Sequence, residues 1–254
     1  MSTKINNKLE NGLANEVDKV KQELAVLKAE YEEFVYIVSH DLSAPLRQIN
    51  SFSEIIVSKY GDSFDEKTKR HFDLITSGSA QTTQIMNAIK SYSRLNTRAQ
   101  PFTSLDSNKI VAKALDDLSS LISKTAAEIT CADLPTIIGD EEQVSLLFKC
   151  LIENALTYQL PDNKPVISVS TSDDQDYWHF SISDNGIGVP ENLTEKIFKV
   201  LRRGVSSKIY PGLGMGLALS KKILQKHQGD ISVALNNDQG SAFSFKIAKD
   251  LPHE

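Results

Sequence analysis

Val17, Val20, Leu24, Leu27, Tyr31, Phe34 and Val38 follow one another at alternating steps of three and four residues. Such steps place them on one stripe of an α-helix, as the a and d positions of a heptad, with Glu and Lys at the flanking positions. A single helix has nothing against which to bury this stripe, so the spacing predicts a parallel homodimeric coiled coil over residues 1–30. The stripe runs on into FVYIVSHDLSAPLRQI (34–49), where Phe34, Ile37, Val38, Leu42, Leu46 and Ile49 keep the helical step. His40 and Asp41 break it with a titratable pair, and Pro45 follows. A proline inside a helix removes a hydrogen bond and clashes with the preceding turn, at a cost of about 3 kcal/mol. A local bend is expected there.

The helix should continue through NSFSEIIVSKY and stop near Gly61-Asp62. A second helix is expected over SFDEKTKRHFDLITSGSAQTTQIMNAIKSYSRL, with Phe72, Ile75, Met86 and Ile89 as its inner stripe and Ser79 and Thr82 between them. The turn YGDSFDE makes the pair a helical hairpin, and two copies would form a four-helix bundle. That domain is placed at 31–97. NTRAQPFTS (96–104) has turn formers and no periodicity, which marks a boundary. In the domain at 104–250 a helix (about 106–127), a short strand (128–131) and a helix (140–159) come first. The strands PVISVSTSD and YWHFSISDNG, a glycine-rich stretch, a helix (216–227) and the strands GDISVALN and SAFSFKIA complete an α/β sandwich. The fold class is thus α+β and multidomain.

Composition excludes several functions. A net charge of −5 over 254 residues, with no large basic region, argues against nucleic acid as a partner. Cys131 and Cys150 form no CxxC or Cys/His metal pattern and read as small core hydrophobes in a reducing compartment. No apolar run approaches the roughly 18 residues of a membrane span. The expected location is the cytoplasm.

Four stretches carry chemistry. In SDNGIGVP (183–190), Asp184 follows a strand and precedes Gly186 and Gly188. This is either a hairpin turn or a carboxylate at the mouth of a tight turn, suited to an exocyclic amine such as that of adenine. GLGMGL (212–217) opens a helix, where Gly212, Gly214 and Gly216 leave backbone N–H groups for an anion. Between them, KVLRRGVSSK sets Lys199, Arg202, Arg203 and Lys208 with no acid, as a solvated face or a phosphate-facing lid. LIENALTY puts Asn154 in a helix interior, where Asn is a poor helix former, beside Glu153. It is either a surface residue or an oxygen ligand for Mg²⁺.

Taken in order, these pieces resemble the histidine kinases of two-component signalling, over about residues 25–248. SHDLSAPLRQI resembles the phosphoacceptor box, close to that of phytochrome-type kinases. LIENALTY resembles the asparagine box, SDNGIGVP and GLGMGL the two glycine boxes, and EKIFKVLRRG the phenylalanine box. The resemblance implies that His40 is phosphorylated, with Asp41 polarising its imidazole and Asn154 completing the catalytic set. It implies that ATP is bound by Asn154, Tyr158, Asp184, Gly186, Gly188, Arg202, Arg203, Lys208, Gly212, Leu213, Gly214, Gly216 and Leu217. Mg²⁺ is implied on Asn154, with Glu153 as a further contributor. The phosphoryl group then passes to an aspartate in the receiver domain of a separate response regulator, and input comes from a separate sensor or partner. His71, His179, His227 and His253 are read as ordinary core or surface histidines.

Three positions depart from the family pattern. Ala44 stands where phosphatase-competent relatives have Thr or Asn, which implies weak phosphatase activity. Thr157 stands where Lys or Arg is common. Cys150, one turn before Asn154, stands where kinases usually carry Asn and related water-splitting ATPases carry Glu. Cys150 and Thr157 leave open a weakly catalytic scaffold or phosphotransfer hub that modulates another kinase or regulator.

Overall fold

The computed structural model describes residues 2–95, 100–205, 209–210, 212–235 and 239–252. The chain divides into two compact units, Met1–Arg94 and Leu95–Glu254.

In the first unit, α1 (Ser2–Tyr60) is one helix that runs unbroken through Pro45. Just before the proline, the Ser43 hydroxyl donates to the Ser39 carbonyl at 2.6 Å, one turn back. A short 3-10 turn at Gly61–Ser63 reverses the chain. The Asp65 carboxylate then accepts from the Thr68 N–H at 2.7 Å and caps α2 (Glu66–Arg94). The two helices pack through small hydroxyl residues. Ser39, Ser53, Ser79 and Ser93 are buried, Ser79 donates to the Leu46 carbonyl at 3.3 Å, and Ser93 donates to that of Glu32 at 3.1 Å.

Of the expected inner stripe of α2, Met86 is buried, Phe72 and Ile89 are half-buried and Ile75 is 47% exposed; beside the buried Ser79, Thr76 and Thr83 are half-buried and Thr82 is exposed. Hydroxyls allow the two backbones of one hairpin to approach closely. The large side chains Phe34, Ile37, Leu42, Ile49 and Phe52 remain exposed, as do the heptad residues from Val17 to Tyr31. Among the described residues no helix is long and apolar enough to cross a membrane.

In the second unit, β1 (Thr103–Asp106) leads into α3 (Ser107–Asp117) and α4 (Ser119–Thr125), followed by β2 (Glu128–Cys131) and β3 (Thr136–Gly139). Then come α5 (Glu141–Thr157), β4 (Val166–Asp173), β5 (Tyr177–Asp184), α6 (Gly216–Lys226), β6 (Asp230–Leu235) and β7 (Ser241–Ala248). Five strands form a sheet in the order β2-β4-β5-β7-β6, antiparallel except for β2 beside β4. The strands β1 and β3, neither expected from the sequence, pair separately from this sheet. The single helix expected at 106–127 is two helices. Leu118 leaves the helical region (φ −98°, ψ 5°) yet buries its side chain, and the Asp117 carboxylate before it is held by Lys149 of α5 at 2.9 Å.

Strict alternation makes the sheet two-faced. Ile167, Val169, Phe180, Ile182, Ile231, Phe243 and Phe245 are buried, and Ser168, Ser170, Ser232 and Ser244 are exposed. α5 contributes Val144, Leu147, Phe148, Leu151 and Ile152 to the buried side. Phe148 meets Phe180 and Phe245 edge-on, at ring-centroid distances of 5.6 and 5.5 Å. Cys131 is no core residue: it is exposed on the edge strand β2.

Candidate functional site

A cavity of about 500 Å³ opens between the C-terminal half of α5, the end of β5, the glycine stretch 212–216 and the start of α6. Asp184, the last residue of β5, is buried. Its Oδ1 accepts from the Gly186 N–H at 2.8 Å and the Ser241 N–H at 3.3 Å. The turn after it is tied down by Asn185, whose side chain accepts from the Val166 N–H and donates to the Lys164 carbonyl. Gly186 is required by close approach, because a β-carbon there would lie 2.2 Å from the Tyr158 carbonyl oxygen. Burial pushes the Asp184 carboxyl up to about 6, against the two N–H donors, which pull it down.

α5 begins at Asp140, whose carboxylate accepts from the Gln143 N–H at 3.1 Å. Its far end brings Cys150, Glu153, Asn154, Thr157 and Tyr158 to the cavity wall. Glu153 therefore shares a wall with Asn154, although the two are neighbours around the helix. The Thr157 hydroxyl donates to the Glu153 carbonyl at 2.7 Å. Burial pushes the Cys150 thiol up to about 12, so it stays neutral.

On the opposite wall, Gly214 has φ +69°, and a β-carbon there would lie 2.5 Å from the Arg202 carbonyl oxygen. The Arg203 guanidinium is engaged: Nη1 donates to the Gly212 carbonyl at 2.8 Å and Nη2 to that of Tyr210. Tyr210 in turn donates its hydroxyl to the Gln159 carbonyl at 2.9 Å and lies against the Tyr158 ring. Arg202 also lines the cavity, and among the described residues its guanidinium has no hydrogen-bond or ion-pair partner.

Of the residues singled out in sequence, Glu153, Asn154, Tyr158, Asp184, Gly188, Arg202, Arg203, Gly212, Leu213, Gly214, Gly216 and Leu217 all line this cavity. Gly186 acts through its N–H rather than as wall. Lys208 lies outside the described residues. Ser241 and Phe243 of β7, and Leu193 and Ile197 from the segment between β5 and α6, also line the cavity and were not among the expected site residues. The apolar alternation of SAFSFKIA was the available signal for Phe243.

His40 and Asp41 belong to the helical unit. Both side chains are exposed, and His40 Nδ1 lies 3.1 Å from Asp41 Oδ1. A carboxylate only accepts, so the bond places the ring proton on Nδ1 and leaves the Nε2 lone pair facing solvent.

Residues 139–251 match the family model of the histidine kinase-, DNA gyrase B- and HSP90-like ATPases. The phytochrome-like protein Cph1 of Synechocystis is 32% identical over 234 residues, 92% of this chain and 31% of that protein. Residues 139–251 thus carry the ATPase domain of this family, and over 92% of its length the chain is similar to the histidine kinases of two-component signalling. It spans about a third of the length of the curated phytochrome relatives that it matches. The same fold, a helical hairpin joined to an ATPase unit, occurs in two solved structures. Full-length ShkA in complex with AMPPNP has a TM-score of 0.63 at 19% identity, covering 87% of this chain and 47% of that one. Histidine kinase ThkA in complex with the response regulator TrrA has a TM-score of 0.59 at 19% identity, covering 88% and 64%. The cavity thus lies in the ATP-binding unit of this family, and the exposed His-Asp pair in its helical unit.

Proposed function

We propose that the chain is an ATP-dependent protein kinase that phosphorylates its own His40 and passes the phosphoryl group to an aspartate of a separate response regulator. The observation that carries this reading is the His40 ring: Asp41 holds Nδ1, and Nε2 is accessible as a nucleophile. Nε2 attacks the γ-phosphorus of ATP, the N–P bond forms, the bond to the β-γ bridging oxygen breaks, and ADP leaves. Asp41 stabilises the positive charge that develops on the imidazole.

In the cavity, Asp184 would accept from the adenine amino group, with the Ser241 and Gly186 N–H groups fixing its orientation. Arg202 would meet the phosphates, because Arg203 is already engaged in organising the loop. The N–H groups at the start of α6 face the same region. Among the described residues no group of three His, Cys, Asp or Glu side chains is placed to hold a metal. Mg²⁺ keeps waters and phosphate oxygens and takes few protein ligands. The Asn154 side-chain oxygen would hold it, with Glu153 beside it on the same wall. The ion supplies charge neutralisation on the phosphates.

The exposed stripe from Val17 to Phe34, and on through Leu42 and Ile49, would be covered by a second copy, which makes the active form a homodimer. The segments 1–30, 31–97 and 104–250 would serve as coiled coil, phosphotransfer hairpin and catalytic domain. Ala44 has no group with which to orient water, so phosphatase activity is weak. The partner is a receiver domain, in keeping with the response regulator bound to ThkA. Because ATP is cytoplasmic, so is the reaction.

Cys150 favours a second reading, in which the chain binds nucleotide but modulates another kinase, because its neutral thiol is a poor Mg²⁺ or water ligand. Incubation with γ-labelled ATP and Mg²⁺ separates the two. Acid-labile, base-stable label on the protein supports the kinase, whereas nucleotide binding without label supports the modulator.

A further inference from the structure

Tyr36 lies one turn before His40 on α1, with the two ring centroids 6.3 Å apart and the planes within 30° of parallel. From α2, two cations reach across the hairpin to the same tyrosine. Lys90 Nζ is 5.1 Å from the Tyr36 ring centroid, and the Arg94 guanidinium is 4.5 Å from it. Lys90 and Arg94 are four residues apart and so share one face of α2. The bond from Ser93 to the Glu32 carbonyl fixes the register of the two helices at this level. Tyr36 is therefore a ring clamped from one helix and laid beside the histidine of the other.

We propose that Tyr36, held by Lys90 and Arg94, is a positioning residue for His40 in phosphoryl transfer. The inference rests on the reading of His40 as phosphoacceptor. Two contacts restrain the imidazole. Asp41 holds Nδ1 in the plane of the ring, and Tyr36 limits rotation from the side of its face. The Nε2 lone pair lies in the ring plane and must point along the line of attack on phosphorus, so rotation about the Cβ–Cγ bond decides how often it does. Misplacement by about 1 Å can cost about 100-fold in rate. An exposed histidine on a bare helix would sweep a wide arc, and the Tyr36 contact narrows it. The cations hold the tyrosine through the electron-rich π-system of its ring.

The test uses the full chain with Tyr36→Leu, Tyr36→Phe and the double change Lys90→Met with Arg94→Met. Two quantities are read: the initial rate of His40 labelling as a function of ATP concentration, and the side-chain couplings of His40 in histidine-labelled protein by NMR. Tyr36→Leu should lower the saturated rate about tenfold with the KM for ATP unchanged, and should turn one His40 rotamer into an average of several. The conservative Tyr36→Phe restores the ring, and with it both readouts. The double change shifts both in the same direction by less. A Tyr36→Leu protein whose His40 couplings match the wild type overturns the proposal, whatever its rate. If the wild type takes no label from ATP, the kinase reading fails, and the couplings alone still decide the role of Tyr36.

Discussion

The Cys150 thiol packs against Gly216: a β-carbon built on that glycine would lie 3.6 Å from Sγ. The contact joins α5 to the first turn of α6 at the wall of the nucleotide cavity, one turn from Asn154. A neutral thiol there offers neither a strong donor nor a hard oxygen.

Cys150→Asn should therefore raise the autophosphorylation rate by about 3- to 10-fold, the range of one added hydrogen bond. Affinity for ADP without Mg²⁺ should change less than about twofold. Initial-rate labelling and calorimetric ADP titration check the two expectations separately.

Asp184 makes nucleotide affinity depend on pH. An adenine amino group needs the ionised carboxylate, and the pKa of about 6 means that this form is lost as pH falls through 6. ADP affinity should be constant above about pH 7 and fall towards tenfold per unit well below 6. The effect on folding has the opposite sign. The pKa is raised from the ordinary 3.8, so protonation between 3.8 and about 6 favours the fold, and Asp184 costs stability as pH rises through that window. Asp184→Asn should remove the pH dependence of binding and weaken ADP by about 10- to 100-fold, as expected for a charge-assisted hydrogen bond.

His227 joins the far ends of the same two helices. Its Nε2 accepts from the Asp140 N–H at 3.1 Å, its Nδ1 donates to the Ile223 carbonyl at 2.8 Å, and its ring stacks on Phe102. Asp140 in turn accepts from the Gln100 N–H, and Gln143 and Lys226 both donate to the Leu95 carbonyl, so the entry to the ATPase unit is fastened there. Burial holds the His227 pKa below its ordinary 6.5 despite Asp140 nearby. A lowered histidine binds fewer protons folded than unfolded, so its contribution to stability is lost as pH falls below 6.5. In an Asp184→Asn background, which removes the opposing titration, urea unfolding followed by the single tryptophan, Trp178, should show stability falling from pH 7 to 5. His227→Ala should cost about 2–4 kcal/mol at pH 7.

Ala44 is exposed on α1, one turn beyond His40. Ala44→Thr places a hydroxyl where a water attacking a regulator's phospho-aspartate can be oriented. Dephosphorylation of a phosphorylated response regulator by the variant should be faster by about tenfold, below the 100-fold or more of full general-base catalysis. His40 labelling by ATP should be little changed.

Much of this was legible in the sequence, because period and punctuation act locally. Gly188, Gly212, Gly214, Gly216, Asp184 and Asn154, singled out in sequence, all line one cavity, and Gly186 beside it is demanded by a close approach that tolerates no other residue. The helices and the five-stranded sheet followed from their periods. What went unseen depends on contacts distant in sequence. The burial of Ser79 and Ser93 goes with their bonds to the Leu46 and Glu32 carbonyls of α1, which spacing within α2 does not reveal. Ser241 enters the site through its backbone N–H, which every residue but proline possesses. His227 reads as an ordinary histidine until Asp140 and Phe102 are brought to it. The commitment of Arg203 to carbonyls of its own loop, with Arg202 beside it at the cavity wall, likewise required the folded loop.

The most direct test compares wild type with His40→Ala, each incubated with γ-labelled ATP and Mg²⁺ after ADP binding has been shown equal for the two. Acid-labile label on the wild type and none on His40→Ala is the predicted result. Equal labelling of both proteins, or no label on a wild type that binds ADP, would contradict the account.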